Sequence, residues 1–186
     1  MWCARLHMLR MTFKELKLKG AFVIEAEKRE DERGFFARTW SEAQFRAHNI
    51  DFSPAQSSVS YNRHKGTLRG MHYQAAPFQE CKLVRCTRGA IFDVIIDLRR
   101  DSPTYKAWFG VELTAANYRM LYVPKDFAHG FQTLMDDTEV LYLMSDAYNV
   151  QAERGIRWND SAFAITWPLD ITAISDKDRS WPGFSA

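Results

Sequence analysis

The chain has 186 residues, of which 26% are charged and 46% hydrophobic, with a formal net charge of +2. That is enough chain for one domain with its own core, and too little positive charge for a nucleic-acid groove. No apolar run approaches the roughly 18 residues of a membrane span and the first residues carry no secretory apolar stretch, so a cytoplasmic protein with no membrane or nucleic-acid partner is expected. The three cysteines, Cys3, Cys81 and Cys86, form no CxxC pair and leave an odd thiol, which argues against a disulfide framework and a zinc knuckle.

In chain order, residues 1–10 bear no relation to the pattern that follows, and another methionine stands at position 11, so they are read as an extension outside the core. Short runs rich in Val, Ile, Phe, Tyr or Thr then recur: Ala21–Glu25, Phe35–Trp40, Ser57–Tyr61, Lys82–Cys86, Ile91–Leu98, Phe109–Leu113, Arg119–Val123, Gly130–Leu134 and Val140–Ser145. Turn formers separate them, including Glu32-Arg33-Gly34, Lys65-Gly66, Arg88-Gly89, Ser102-Pro103 and Asp136-Asp137. This spacing predicts an all-β antiparallel jelly roll and not βαβ units. Helical pattern is confined to Ser41–His48, where Ser41 is a candidate N-cap and Gln44 occupies the capping-box position. From Gln151 onward the chain is irregular but contains Trp158, Trp167 and Trp181, which predicts an ordered C-terminal flap packed on the barrel. No repeat or linker divides the chain, so residues 1–186 are read as one domain.

The densest chemical signal is Gly66-Thr67-Leu68-Arg69-Gly70-Met71-His72-Tyr73-Gln74, with Lys82 following. A histidine with cationic neighbours is a candidate general base, although alone it would read as a surface residue at a strand end. Farther on come Pro124–Phe131, with His129 in a Pro-x-x-x-x-His-Gly-Phe turn, then Glu139–Leu143 around Tyr142, then Ile174–Asp178. Taken singly, Tyr142 reads equally well as a core residue and Asp178 as a solvated carboxylate.

Together with Arg33-Gly34-Phe35-Phe36, Asp93–Arg99, Ser102-Pro103-Thr104 and Glu153–Asp160, these segments resemble the dTDP-4-dehydrorhamnose 3,5-epimerase family in order and spacing, over roughly Phe13 to Asp178. The resemblance implies a cupin-like jelly roll that isomerises a nucleotide-diphosphate sugar without a cofactor. It makes His72 the base that removes a proton beside the C4 ketone, Asp178 the group that holds its imidazole, and Tyr142 the donor on the opposite face. Lys82, with Arg69 nearby, would stabilise the enolate oxygen. Inverting a carbon beside a ketone needs an acid and a base on opposite sides of one enolate, which His and Tyr supply.

By the same resemblance Arg33, Phe36, Gln56, Arg69, His129 and Tyr148 contact substrate. Arg33 and Phe36 would do so across a homodimer with swapped N-terminal strands. Metal-binding cupins use a His-x-His pair; here Tyr73-Gln74 follow His72, so no bound metal is expected. The family's Phe-Phe-x-Glu reads Phe-Phe-x-Arg, ending at Arg38, which leaves the nucleotide base open. The implied reaction converts dTDP-4-dehydro-6-deoxy-D-glucose to dTDP-4-dehydro-L-rhamnose for polysaccharide synthesis. The alternatives are a single-site epimerase or ketoisomerase on another nucleotide sugar, and a non-catalytic cupin sugar-binding module.

Overall fold

The computed structural model of the chain describes residues 9–184. Short runs of alternating or continuous apolar residues form thirteen strands: β1 (Met11–Glu15), β2 (Phe22–Ala26), β3 (Lys28–Asp31), β4 (Gly34–Ala37), β5 (Gln56–Asn62), β6 (Leu68–Gln74), β7 (Lys82–Arg88), β8 (Ala90–Asp97), β9 (Trp108–Thr114), β10 (Arg119–Val123), β11 (Phe127–Thr133), β12 (Thr138–Met144) and β13 (Glu153–Gly155). The helices are α1 (Glu42–Ala47) and α2 (Asp176–Ser180). One sheet has six strands in the order β1-β2-β10-β7-β12-β5, the second has five in the order β13-β6-β11-β8-β9, and β3 and β4 form a separate hairpin. The named strands pair antiparallel, as the jelly-roll reading requires.

Side-chain alternation along each strand sorts residues onto two faces. Val23, Val84, Cys86, Leu121, Val123 and Val140 of the first sheet meet Ile91, Ile95, Leu113, Phe127 and Phe131 of the second to form the core between them. The outer faces are covered too. Helix α1 and the turn after it bring Phe45, Ile50 and Phe52 against Ile24, Leu83, Met120 and Tyr122. On the second sheet, Phe163, Ile165, Trp167 and Phe184 of the C-terminal stretch cover Met71, Val94, Ile96 and Ala128, so the expected flap is an ordered layer over that sheet's outer face. Burying each such large apolar side chain is worth about 1.5–3 kcal/mol, and this layering leaves one end of the inter-sheet space free for polar groups.

Local expectations shift in several places. The Ser41 side chain makes no cap bond. Gln44, instead of closing a capping box, accepts from Met11 N–H at 2.9 Å and donates to the Leu9 carbonyl at 2.8 Å, tying α1 to the start of β1. Leu9 is buried, so the core reaches into the stretch read as an extension, whose residues 1–8 lie outside the described ones. The run ending at Trp40 closes early, at Ala37. β11 begins at Phe127, which puts His129 inside a fully buried strand and not in a turn. No described helix is long and apolar enough to cross a membrane.

Candidate active site

The polar end of the inter-sheet space is a cavity of about 410 Å³. It arises because strands whose inward faces are otherwise apolar each carry one polar residue there. β12 runs Val140, Tyr142, Met144; β7 runs Cys86, Val84, Lys82; β11 runs Phe127, His129, Phe131; and β8 runs Ile91, Asp93, Ile95. The cavity is lined from the five-stranded sheet by Arg69, His72 and His129, and from the six-stranded sheet by Gln56, Lys82 and Tyr142, with Tyr148 at its rim.

β6 turns its catalytic candidate inward through a bulge. His72 pairs with His129, but Arg69 pairs with Phe131, so one extra residue of β6 is accommodated at Gly70-Met71. Gly70 has φ +124°, and a Cβ there would stand 2.6 Å from the Gly130 Cα of the neighbouring strand. Only glycine tolerates both the backbone angle and that approach. The bulge is what lets Arg69 and His72, three residues apart, both line the cavity.

Two histidines stand side by side across β6 and β11, each with a carboxylate. His72 Nε2 lies 2.6 Å from Asp178 Oδ1, and Gly70 N–H donates to Asp178 Oδ2 at 3.2 Å. Burial works to raise the Asp178 carboxyl, but the hydrogen bond and charge of His72, with the Gly70 N–H, hold it below the usual carboxylate range. Asp178 comes from α2, whose N-cap Ser175 accepts from Asp178 N–H at 3.1 Å. The second pair is wholly buried: His129 Nε2 lies 2.7 Å from Asp93 Oδ1, and the other Asp93 oxygen has no partner among the described residues.

Tyr142 stands with its ring 6.1 Å from that of His129 in an edge-to-face arrangement. Burial, then the Asp93 charge, pushes its hydroxyl well above the ordinary tyrosine range, against the opposing pull of Arg69 and Ser60, so it stays protonated at neutral pH. Lys82 pairs with Glu80 at 3.2 Å. Arg69 donates to Asn62 Oδ1 at 2.7 Å, which fixes its guanidinium. At the rim Tyr148 N–H donates to Gln56 Oε1 at 3.0 Å, and the Tyr148 hydroxyl donates to Glu153 at 2.9 Å. Lys177, beside Asp178, also pairs with Glu153 and ties α2 to β13.

Eight of the ten residues expected at the site are therefore brought together: seven line the cavity, and Asp178 stands behind His72. Arg33 and Phe36 are not among the lining residues. They sit on the β3–β4 hairpin, where Arg33 pairs with Asp31 at 2.6 Å and Phe36 is 52% exposed. Among the described residues no cluster of three or more His, Cys, Asp or Glu is arranged to hold a metal ion. Three contributors went unseen in the sequence reading. Asp93 was visible only as part of a strand motif, and Glu80 lies two residues ahead of Lys82. Trp181 packs its ring edge-to-face on His72 at 6.4 Å.

The model of the dTDP-4-dehydrorhamnose 3,5-epimerase family matches residues 15–186. A relative of that name from Sinorhizobium fredii is 42% identical over 173 residues, covering 92% of this chain and 89% of its own. A crystal structure of the Bacillus anthracis enzyme of that name, with TDP and PPi bound, superposes with a TM-score of 0.91 at 41% identity, covering 94% of this chain and 100% of that one. The Legionella pneumophila dTDP-6-deoxy-D-glucose-3,5-epimerase in complex with dTDP-4-keto-L-rhamnose gives a TM-score of 0.87 at 33% identity, covering 95% and 100%. With the sheet order, the cavity and the His72–Asp178 pair already in place, these matches over nearly the whole length identify the chain as a member of the dTDP-4-dehydrorhamnose 3,5-epimerase family.

Proposed function

We propose that this chain epimerises C3 and C5 of a nucleotide-linked 4-keto-6-deoxyhexose, converting dTDP-4-dehydro-6-deoxy-D-glucose to dTDP-4-dehydro-L-rhamnose. The observation that carries the reading is a base and an acid on opposite sheets across one cavity, His72 on β6 and Tyr142 on β12. His72 takes the proton from the carbon beside the C4 ketone, the electron pair moves onto the ketone oxygen, and the resulting enolate is flat. The Tyr142 hydroxyl then delivers a proton to the other face, and exchange with solvent returns both groups to their starting states. Lys82 is the cation beside the developing oxyanion, an interaction stronger in a water-poor cavity than in bulk. Arg69, Gln56, His129 and Tyr148 hold the sugar and diphosphate, guanidinium geometry suiting phosphate oxygens.

The same reading gives a homodimer in the cytoplasm, with the β3–β4 hairpin carrying Arg33 and Phe36 into the neighbouring subunit's site. Its support is the exposure of Phe35 and Phe36 on a hairpin outside both main sheets.

The test is solvent isotope exchange. In deuterated water the native enzyme should label C3 and C5 of the product, read by NMR. His72→Ala should stop proton removal, and Tyr142→Phe should allow exchange of the abstracted proton while suppressing inversion. Native exchange rates in both variants would end this mechanism, and label at only one carbon would reassign the chain as a single-site epimerase.

A further inference from the structure

Lys82 is almost buried, with 12% of its side chain exposed, and the carboxylate that pairs with it among the described residues is Glu80, itself 9% exposed and also lining the cavity. We infer that Glu80 is a positioning residue for the reaction: it holds the Lys82 ammonium at the cavity wall, where the enolate oxygen forms. The inference rests on the epimerase reading and goes beyond it, because it adds a residue to the site and fixes what that residue must be.

The surrounding hydrogen bonds make the requirement specific. Gln74, at the end of β6 and 4% exposed, is locked in one orientation. Its Oε1 accepts from Asn149 N–H at 2.6 Å, so its Nε2 must point the other way, donating to the Ala147 carbonyl and to Glu80 Oε2, both at 3.3 Å. Glu80 thus meets a donor at each oxygen: Lys82 Nζ at 3.2 Å from Oε1 and the Gln74 amide at Oε2. A carboxylate accepts at both. A carboxamide at this position would face one of the two donors with an N–H₂ of its own, so Glu80→Gln changes few atoms and cannot satisfy both neighbours. Lys82 would then be free to swing its flexible stem, and an ammonium out of register is a poor match to charge developing at one atom. Since Glu80 pairs with the lysine and not with the reacting carbon, its loss should lower turnover more than binding.

The experiment compares Lys82→Met, Glu80→Gln and the double variant in the deuterium-exchange and steady-state assays, with thermal melting of each protein alongside. Lys82→Met should lose about 100-fold or more in kcat, the usual scale for removing an oxyanion-stabilising group. Glu80→Gln should lose about 10-fold in kcat with KM within about twofold, and the double variant should be no worse than Lys82→Met, because two residues acting through one contact are not additive. Glu80→Asp keeps two acceptor oxygens on a shorter arm and should recover part of the loss. A Glu80→Gln protein with native kcat, or losses that multiply in the double variant, would overturn the inference while leaving the epimerase reading intact. Native turnover in Lys82→Met would overturn the role given to the lysine and this inference with it. Should Glu80→Gln fail to fold, Glu80→Asp decides: reduced kcat at unchanged KM supports the inference, and native kcat overturns it.

Discussion

Asp178 does two jobs with its two oxygens, and the consequence lies in the tautomer of one ring. A carboxylate only accepts, so the His72 nitrogen 2.6 Å away must carry its hydrogen, which leaves Nδ1 as the lone-pair nitrogen able to take a proton. The other oxygen accepts from Gly70 N–H. In Asp178→Asn one of the two oxygens becomes an N–H₂, so only one of the two donors still meets an acceptor. If it turns to Gly70, the amide N–H₂ faces His72 Nε2, the hydrogen moves to Nδ1, and the ring cannot act as base. Proton abstraction should fall by about 10³–10⁴-fold, the scale seen when an orienting carboxylate becomes an amide. Deuterium exchange measures it directly, and native exchange would show that orientation is not set here. The same substitution has a stability signature. A carboxyl whose folded value is lowered stabilises the fold above its unfolded value of about 4, and that contribution disappears as pH falls through the folded value. The native-minus-variant difference in urea midpoint should therefore be present at neutral pH and shrink on acidification below pH ~4.

β13 contributes only three residues, yet it closes the site from behind. Gly155 pairs with His72, and a Cβ at 155 would lie 2.0 Å from Trp181 Cε2, inside the indole that packs edge-on against the His72 ring. Gly155→Ala must therefore push Trp181 off its seat. Overpacking of this kind costs about 1–3 kcal/mol, and here it should also loosen His72, so stability and exchange rate should fall together. Trp181→Phe, with a smaller ring, should partly relieve the clash in the double variant; no relief would mean the glycine is needed for another reason.

Nine strands were legible because β-branched and aromatic residues cluster in them between turn formers, but β1, β3, β6 and β13 were not. β3 reads Lys-Arg-Glu-Asp and has no apolar face to betray it. β6, which carries His72, is broken to the eye by Gly70, a residue that the close approach to Gly130 demands and that local reading takes for a loop. The site was legible in kind, through the motif order, and not in its contacts. His72 and Asp178 are 106 residues apart and meet only when α2 docks against β6, while His129 and Asp93 are 36 apart and meet through the pairing of β11 with β8. Glu80 carries no local mark, and Trp181 marks only the flap and not the site, since their roles beside Lys82 and His72 exist only once β6, β7 and the C-terminal layer are assembled.

At the scale of the whole molecule, one protomer leaves a strand edge and several large apolar side chains exposed. β5 is an open edge of the six-stranded sheet with Val59 58% and Tyr61 46% exposed, and the β3–β4 hairpin holds Phe35 and Phe36 outward. A long strand edge beside exposed apolar side chains is usually covered. In the proposed dimer the hairpin is covered, because each cavity draws Arg33 and Phe36 from the other subunit. A two-fold interface of that kind makes a quantitative forecast. His72→Ala spoils the site of the subunit that carries it, whereas a paired Arg33→Ala, Phe36→Ala variant spoils the site of its neighbour. In a mixed dimer both defects fall on one cavity and the other is native. Co-expressing the two inactive proteins in equal amounts makes half the dimers mixed, each with one sound site in two, so activity should return to about a quarter of native. If the hairpin instead serves its own subunit, every cavity in the mixture carries a defect and no activity returns. Purification through two different tags, one on each variant, raises the expected recovery to about half, and a mixed dimer that remained inactive would remove the shared site from the model of this enzyme.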